Sequence, residues 1–209
     1  MTVQAFPKQT AISLRAWGFL GILAIIWGGS FLSNRAALAE VGFLTTVAFR
    51  VGGAAAALWT YIWWRGLPVP KGAKWPATCL TLGLLNNVVP FCLIVWGQTH
   101  IASGLAGILN ATTAVFTVIL AAFVFQDERL TPPKIAGVAL GLAGVAVTIG
   151  PGALRHLDFS SLGQLAILGA AFSYAVAAIY GRGALLGVRP EVGSAGMLTA
   201  SSIIMVPAA

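Results

Sequence analysis

The sequence has 209 residues, of which 58% are hydrophobic and only 8% are charged, whereas roughly a quarter of the residues in a soluble domain are charged. Five acidic and twelve basic side chains cannot form a polar shell around so much apolar surface, which excludes most soluble folds. The net charge of +7 comes from basic residues scattered between apolar runs, a pattern that argues against a nucleic-acid partner. We therefore expect an all-α integral membrane protein in contact with the lipid bilayer.

Long apolar runs divide the chain into predicted transmembrane helices, because a bilayer core about 30 Å thick requires about 20 residues of α-helix. Six runs are complete, and a seventh begins at Ser194 and continues to the end of the sequence. The complete runs are 17–38, 43–64, 75–98, 102–125, 135–149 and 162–181. The short separators contain turn signals such as Pro132-Pro133 and Gly150-Pro151-Gly152, so the sequence predicts a bundle of about seven transmembrane helices without a soluble domain.

The positions of lysine and arginine predict the orientation in the membrane. If the amino terminus is cytoplasmic, nine basic residues lie on the inner side and three on the outer side. The inner set is Lys8, Arg15, Arg65, Lys71, Lys74, Arg129, Lys134, Arg182 and Arg189, and the outer set is Arg35, Arg50 and Arg155. We therefore expect a multi-pass protein of the plasma (inner) membrane with a cytoplasmic amino-terminal segment, residues 1–16. A cleaved signal peptide is the alternative for the first run, although that run exceeds the length of about 7 to 15 residues typical of a signal sequence.

Small residues predict which helix faces pack together, since they let backbones approach closely in lipid. Gly137, Gly141 and Gly144 share one face of the fifth run, and Gly52-Gly53 lie in the second.

A weak internal repeat aligns residues 24–27 with residues 171–174 and residues 35–38 with residues 182–185. A repeat unit of five spans is odd, so its second copy must enter the membrane in the opposite orientation.

Several segments together resemble a known family. They are Trp27-Gly28-Gly29-Ser30-Phe31, Phe49-Arg50, the run 106–117, Asp127-Glu128-Arg129-Leu130, and the glycine-containing run 137–145. In this order and spacing they are similar to EamA-type proteins of the drug/metabolite transporter superfamily. The resemblance departs at Ala114, where the family often has proline.

The resemblance implies a ten-helix carrier that consists of two inverted five-helix repeats and exports small metabolites through a central cavity. Residues 17–150 would then form the first EamA-like repeat, and residues 160–209 an incomplete second one. On this basis we expect the native polypeptide to continue beyond Ala209 with about three further helices.

Polar groups at membrane depth face either a cavity or a partner helix, so those near the middle of the runs are the candidate substrate-binding residues. The predicted set is Trp27, Ser30, Asn86, Asn87, Asn110, Thr113 and Tyr174. Serine and threonine hydroxyls can instead bond a carbonyl one turn back, and the asparagines can instead bond a neighbouring helix. Both interpretations stay open for each of these residues.

Helical spacing places several polar residues on shared faces. The stripes are Trp27-Ser30-Asn34 on the first run, Asn87-Phe91-Ile94-Gln98 on the third, and Asn110-Thr113-Thr117 on the fourth. Pro90 lies within the third run, where its missing amide hydrogen can bend the helix and free a carbonyl. Arg50 either reaches back to the outer interface or contacts an anion at an outer gate.

The acidic residues favour a carrier over an enzyme, because all five lie outside the apolar runs and a membrane phosphotransferase needs carboxylates to hold magnesium. We therefore expect no catalytic residue, cofactor or metal. The predicted function is secondary transport of small metabolites such as amino acids or amphipathic compounds. The alternative is a membrane-embedded enzyme that acts on a lipid-like substrate through the Asp127-Glu128 pair. The sequence also leaves open that the protein forms a homodimer.

Overall fold

The computed structural model describes residues 13–125, 128–158 and 161–209. These residues form seven helices and no strand. The helices are α1 Leu14–Ala37, α2 Phe43–Arg65, α3 Lys74–Gly97, α4 Ser103–Val124, α5 Pro132–Ile149, α6 Leu162–Ala184 and α7 Pro190–Met205. Five of them, α1 to α4 and α6, are long and apolar enough to cross a membrane. The prediction of an all-α membrane protein with about seven helices is confirmed.

Glycine and proline lie at several helix ends, among them the predicted turn signal Pro132-Pro133. α2 ends at Arg65, and the left-handed backbone of Gly66 (φ 58°) lets the amide of Leu67 bond the carbonyl of Ile62 at 3.1 Å, as is common where glycine terminates a helix. α5 and α7 begin at Pro132 and Pro190, since proline fits the first turn, where no amide donor is needed. The seventh helix thus starts four positions before the predicted Ser194.

The core lies where α3 and α6 meet the helices around them. One cluster of buried side chains joins α3, α4 and α6 through Ile94, Leu105, Ala106, Leu109, Ile167 and Ala170. A second joins α2, α3 and α7 through Val47, Ala48, Val51, Val95 and Met205. α1 and α5 pack mainly against α4, and most of the α1 surface is exposed.

The close helix contacts occur at glycines other than those that the sequence suggested. A Cβ atom added at Gly83 on α3 would lie 2.8 Å from the carbonyl oxygen of Met197 on α7. One added at Gly97 would lie 3.0 Å from the carbonyl oxygen of Gly163 on α6. In contrast, the same atom would meet nothing within 4 Å at any of the predicted packing glycines, namely Gly52, Gly53, Gly137, Gly141 and Gly144. The close contacts predicted at these glycines are therefore wrong, because no neighbouring helix comes within 4 Å of the added atom.

A π-helical segment interrupts α3 at Leu84–Val88, where the amide of Val89 donates to the carbonyl of Leu84, five residues back. Pro90 follows directly in the next turn. α4 is interrupted at a single residue, Thr112, whose hydroxyl bonds the carbonyl of Leu109 at 2.6 Å. Both interruptions fall near the middle of long helices, where irregular backbone often accompanies function.

Some sequence-based expectations fall outside the described residues. Most of the predicted cytoplasmic segment 1–16, including Lys8, lies there, and so does Asp127 of the acidic pair. The remaining member of the pair, Glu128, contacts Arg182 at 3.3 Å. This contact places the connection between α4 and α5 on the same side of the bundle as the end of α6.

Candidate functional site

A buried polar network joins the ends of three helices. Gln98, at the end of α3, is fully buried, and its amide nitrogen donates to the carbonyl of Phe31 at 3.2 Å and to the hydroxyl of Ser103 at 3.1 Å. Its side-chain oxygen accepts a hydrogen bond from Asn34 on α1 at 3.1 Å. Arg35 donates to the Gln98 backbone carbonyl at 2.9 Å. Every polar atom of the Gln98 side chain is thus paired, and α1, α3 and the start of α4 are held together.

Arg50 on α2 extends this network towards the interior. Its guanidinium donates a hydrogen bond to the side-chain oxygen of Asn34 and lies over the ring of Phe91, 4.8 Å from the centroid. Such a placement is favourable for a cation and an aromatic face. Among the described residues, the ion pairs involve Glu128 and Glu191, and none includes Arg50.

Two spaces share Arg50 in their linings. A groove of about 510 Å³ runs between α1 and α2. It is lined by Ile26, Ser30, Ser33, Asn34, Ala37, Val41, Thr46, Phe49 and Arg50. A cavity of only about 10 Å³ between α1, α2, α3 and α6 shares Ser30, Asn34 and Arg50 with the groove and adds Tyr174. This cavity has room for about one water molecule, so the groove is the larger space beside Arg50.

Two of the predicted site residues come together here. Ser30 and Tyr174 line the same cavity, and Tyr174 forms an edge-to-face contact with Phe91, with 6.5 Å between ring centroids. The Ser30 hydroxyl also donates to the carbonyl of Trp27 at 2.7 Å. Trp27 itself is 52% exposed on α1. The small cavity thus brings together a hydroxyl, a phenol and a guanidinium beside apolar side chains.

The two adjacent asparagines face α7 instead. Asn87 is only 3% exposed, and its amide donates to the hydroxyl of Ser201 at 3.1 Å. Asn86 points its amide at the sulfur of Met197 at 3.5 Å. The Ser201 hydroxyl also lies 3.1 Å from the carbonyl of Gly83. Asn87 and Ser201 therefore form a polar link across the tight contact between α3 and α7.

The predicted residues of α4 lie apart from this cavity. The hydroxyl of Thr113 donates to the backbone carbonyl of Asn110 at 2.7 Å, within the same helix. The side-chain oxygen of Asn110 is buried and has no hydrogen-bond partner among the described residues. A buried polar atom of this kind is rare in folded proteins.

The polar network contains residues that the predicted site did not include, namely Asn34, Gln98 and Arg50. Asn34 and Gln98 each belong to a polar stripe that is visible in the sequence. The stripes show which residues share a helix face. They do not show that the faces of α1, α2 and α3 meet, which requires the tertiary structure.

A second groove, of about 690 Å³, lies between α4, α5 and α6. Its walls are apolar, and one end carries Glu128, Lys134 and Arg182. Glu128 forms ion pairs with both Lys134 and Arg182, and Arg182 also lies 4.3 Å from the ring centroid of Phe125. Within the described ranges, no group of three or more histidine, cysteine, aspartate or glutamate side chains is arranged to hold a metal ion.

Together, the apolar helices and their buried polar residues define a multi-pass membrane protein. The sequence pattern of the EamA-like transporter family matches residues 15–150, which is more than half of the chain. The chain belongs to this family of membrane transporters. No solved structure matches the chain.

Three curated relatives illustrate the similarity. An uncharacterized transporter of Archaeoglobus fulgidus is 28% identical over 191 residues, which cover 90% of this chain and 64% of the relative. A probable terminal-alkyne amino-acid exporter of Streptantibioticus cattleyicolor is 32% identical over 65% of this chain and 45% of its own length. A probable amino-acid metabolite efflux pump of Escherichia coli is 36% identical over 49% of this chain and 33% of its own length. The chain spans less than two thirds of the length of each of these relatives.

Proposed function

We propose that the protein is a secondary transporter that exports small amphipathic metabolites, amino acids in particular. Family membership carries this proposal, together with two relatives whose names describe amino-acid or amino-acid metabolite export. The groove at Arg50 supports it, because ionisable and polar groups at membrane depth typically line substrate pathways. Its mostly apolar walls suit a molecule with one polar end.

The proposed substrate site lies between α1, α3, α4 and α6, near the middle of the membrane. It comprises Trp27, Ser30, Asn86, Asn87, Asn110, Thr113 and Tyr174. Ser30 and Tyr174 have the strongest geometric support, since both line the cavity beside Arg50. The side-chain oxygen of Asn110 has no partner among the described residues, which supports a role in binding, because a substrate donor would satisfy it.

We further propose that residues 17–150 and 160–209 belong to two inverted repeats, as in other carriers with odd-numbered repeat units. The family match over residues 15–150 supports the first boundary. The amino terminus is proposed to be cytoplasmic. The distribution of basic residues supports this orientation. The contact between Glu128 and Arg182 supports only that the connection between α4 and α5 and the end of α6 share one side of the bundle.

Efflux from cells tests the proposed function. Cells that lack their own aromatic amino-acid exporters are loaded with L-phenylalanine, and the intracellular amount is followed with and without the protein expressed from its complete gene. We expect faster loss from expressing cells, and slower loss when Tyr174→Ala replaces the wild type. Phe123→Ala on α4 is the matched control, because Phe123 is 83% exposed and lines neither the groove nor the small cavity at Arg50. Equal retention with and without the protein, for a panel of all common amino acids, would contradict export.

A further inference from the structure

We propose that Arg50 binds the carboxylate group of the transported molecule in the groove between α1 and α2. This inference rests on the proposed transport function and adds the chemical class of the substrate. Its ligands are organic anions or zwitterions with an apolar body. The argument uses the position of the guanidinium, its free hydrogen-bonding capacity and the shape of the groove.

The position of the guanidinium argues against simple snorkelling to the membrane surface. Arg50 follows the first residue of α2, Phe43, by seven positions, or about 10 Å along the helix axis. The side chain contacts Asn34, three residues before the end of α1, and Phe91, six residues before the end of α3. These contacts hold the guanidinium about one to two helical turns inside the helix ends. An arginine held at this depth is unfavourable unless something compensates its charge.

The described residues provide an aromatic face and a neutral amide oxygen for this charge. A guanidinium has five N–H donors in a planar fork. The structure shows one side-chain acceptor for them, the oxygen of Asn34. A carboxylate can accept two parallel hydrogen bonds from the fork and supply the missing negative charge.

The buried network fixes the guanidinium before any ligand binds. Asn34 donates its amide to Gln98 and so presents its oxygen to Arg50. Gln98 is held in turn by the Phe31 carbonyl and the Ser103 hydroxyl. Asn34 is therefore a positioning residue, and a preorganised cation loses less conformational freedom when it binds an anion.

The shape of the groove selects the rest of the ligand. Its walls are mainly apolar, with Ile26, Val41 and Phe49 among the lining residues. An apolar or aromatic body fits these walls while its carboxylate reaches Arg50. A molecule that carries only positive charge would be repelled by the same arginine.

Binding of phenylacetate and phenylacetamide to the purified protein in lipid nanodiscs tests the inference, since the two molecules share a ring and differ in charge. We expect the wild type to bind the acid about 10 to 100 times more tightly than the amide, because hydrogen bonds to charged groups are stronger than neutral ones. Arg50→Gln should remove this preference. Arg155→Gln is the matched control, since Arg155 is an exposed cation between α5 and α6 that belongs neither to the polar network nor to the lining of the groove. It should keep the preference.

A second variant keeps the test decisive if Arg50→Gln folds poorly. Asn34→Asp has nearly the same shape and places a carboxylate against Arg50 inside the protein. This internal counter-ion should compete with phenylacetate and abolish the preference for the acid. Equal affinity for acid and amide in the wild type, or an unchanged preference in Arg50→Gln or in Asn34→Asp, would overturn the inference.

The binding measurement separates this inference from the proposed function. An Arg50-dependent preference for the acid in a protein that exports no amino acid would leave the anion site standing and remove the transport proposal. Export of L-phenylalanine at the wild-type rate by Arg50→Gln would leave transport standing and overturn the role of Arg50.

Discussion

The hydroxyl of Ser173 on α6 donates a 2.7 Å hydrogen bond to the backbone carbonyl of Leu85 on α3. This carbonyl lies in the π-helical segment, where the amide five residues ahead would normally bond it. The residue five positions ahead of Leu85 is Pro90, which has no amide hydrogen. Ser173 therefore satisfies a carbonyl that the proline leaves without its donor, and it ties α6 to the irregular part of α3.

Ser173→Ala should lower the free energy of unfolding by about 1 to 3 kcal/mol, because it leaves a buried carbonyl unpaired. In a Pro90→Ala background, residue 90 regains an amide donor. There, Ser173→Ala should lower the free energy of unfolding by less than half as much. Denaturant titration of the four proteins in mixed micelles measures this coupling. Ser202→Ala is the control, since the Ser202 hydroxyl bonds only a carbonyl of its own helix. An identical loss in the free energy of unfolding in both backgrounds would show that Ser173 does not compensate for the missing amide of Pro90.

Gly83→Ala should destabilise the contact between α3 and α7. Its Cβ would lie 2.8 Å from the backbone oxygen of Met197, which cannot move aside without shifting a helix. We expect a loss of about 1 to 3 kcal/mol in the free energy of unfolding, as for other overpacked sites. Gly141→Ala should have no such cost, because nothing lies within 4 Å of its added Cβ. Thermal unfolding of both variants checks the contrast, and equal stabilities would show that the close contact is not required.

Alanine substitution of the three asparagines tests the proposed substrate site. Asn87→Ala removes a bond to Ser201, and such interhelical bonds contribute only about 0.6 kcal/mol on average in membranes. Asn110→Ala removes a buried oxygen that has no partner among the described residues. We therefore expect these variants and Asn86→Ala to reach near-normal expression and yet lose about 10-fold or more in transport rate. Normal transport in all three would remove the asparagines from the site, whereas loss of expression in all three would favour a packing role.

Cysteine labelling in intact cells tests the orientation. In a background without Cys79 and Cys92, a cysteine at Lys71 should resist an impermeant maleimide, because the basic residues place the connection between α2 and α3 in the cytoplasm. A cysteine at His100, an exposed residue between α3 and α4, should react rapidly. The opposite pattern at these two positions would invert the proposed topology.

The sequence predicts the number and approximate limits of the helices because each span must satisfy the same requirement for apolar length. Turn residues such as Gly66 and Pro132 mark the ends for equally local reasons. The pairing of helix faces is not local. Gly141 and Gly83 look alike in the sequence, yet only Gly83 meets a neighbouring backbone.

The candidate site shows the same limit. The sequence identifies Ser30 and Tyr174 as polar groups at membrane depth, and both line the cavity. It does not reveal that Gln98 orients Asn34 towards Arg50, because these residues belong to three different helices. The stripe pattern shows which residues share a face of one helix. The network depends in addition on how each helix is rotated about its axis relative to its neighbours.

Counterflow in proteoliposomes tests the central claim most directly. The protein expressed from its complete gene is reconstituted in vesicles loaded with unlabelled L-phenylalanine, and radiolabelled L-phenylalanine is added outside. If the protein is a carrier, we expect chemically unchanged label to accumulate transiently inside these vesicles and not inside protein-free vesicles. Uptake equal to that of protein-free vesicles, or recovery of the label as a covalently modified product, would contradict a transporter.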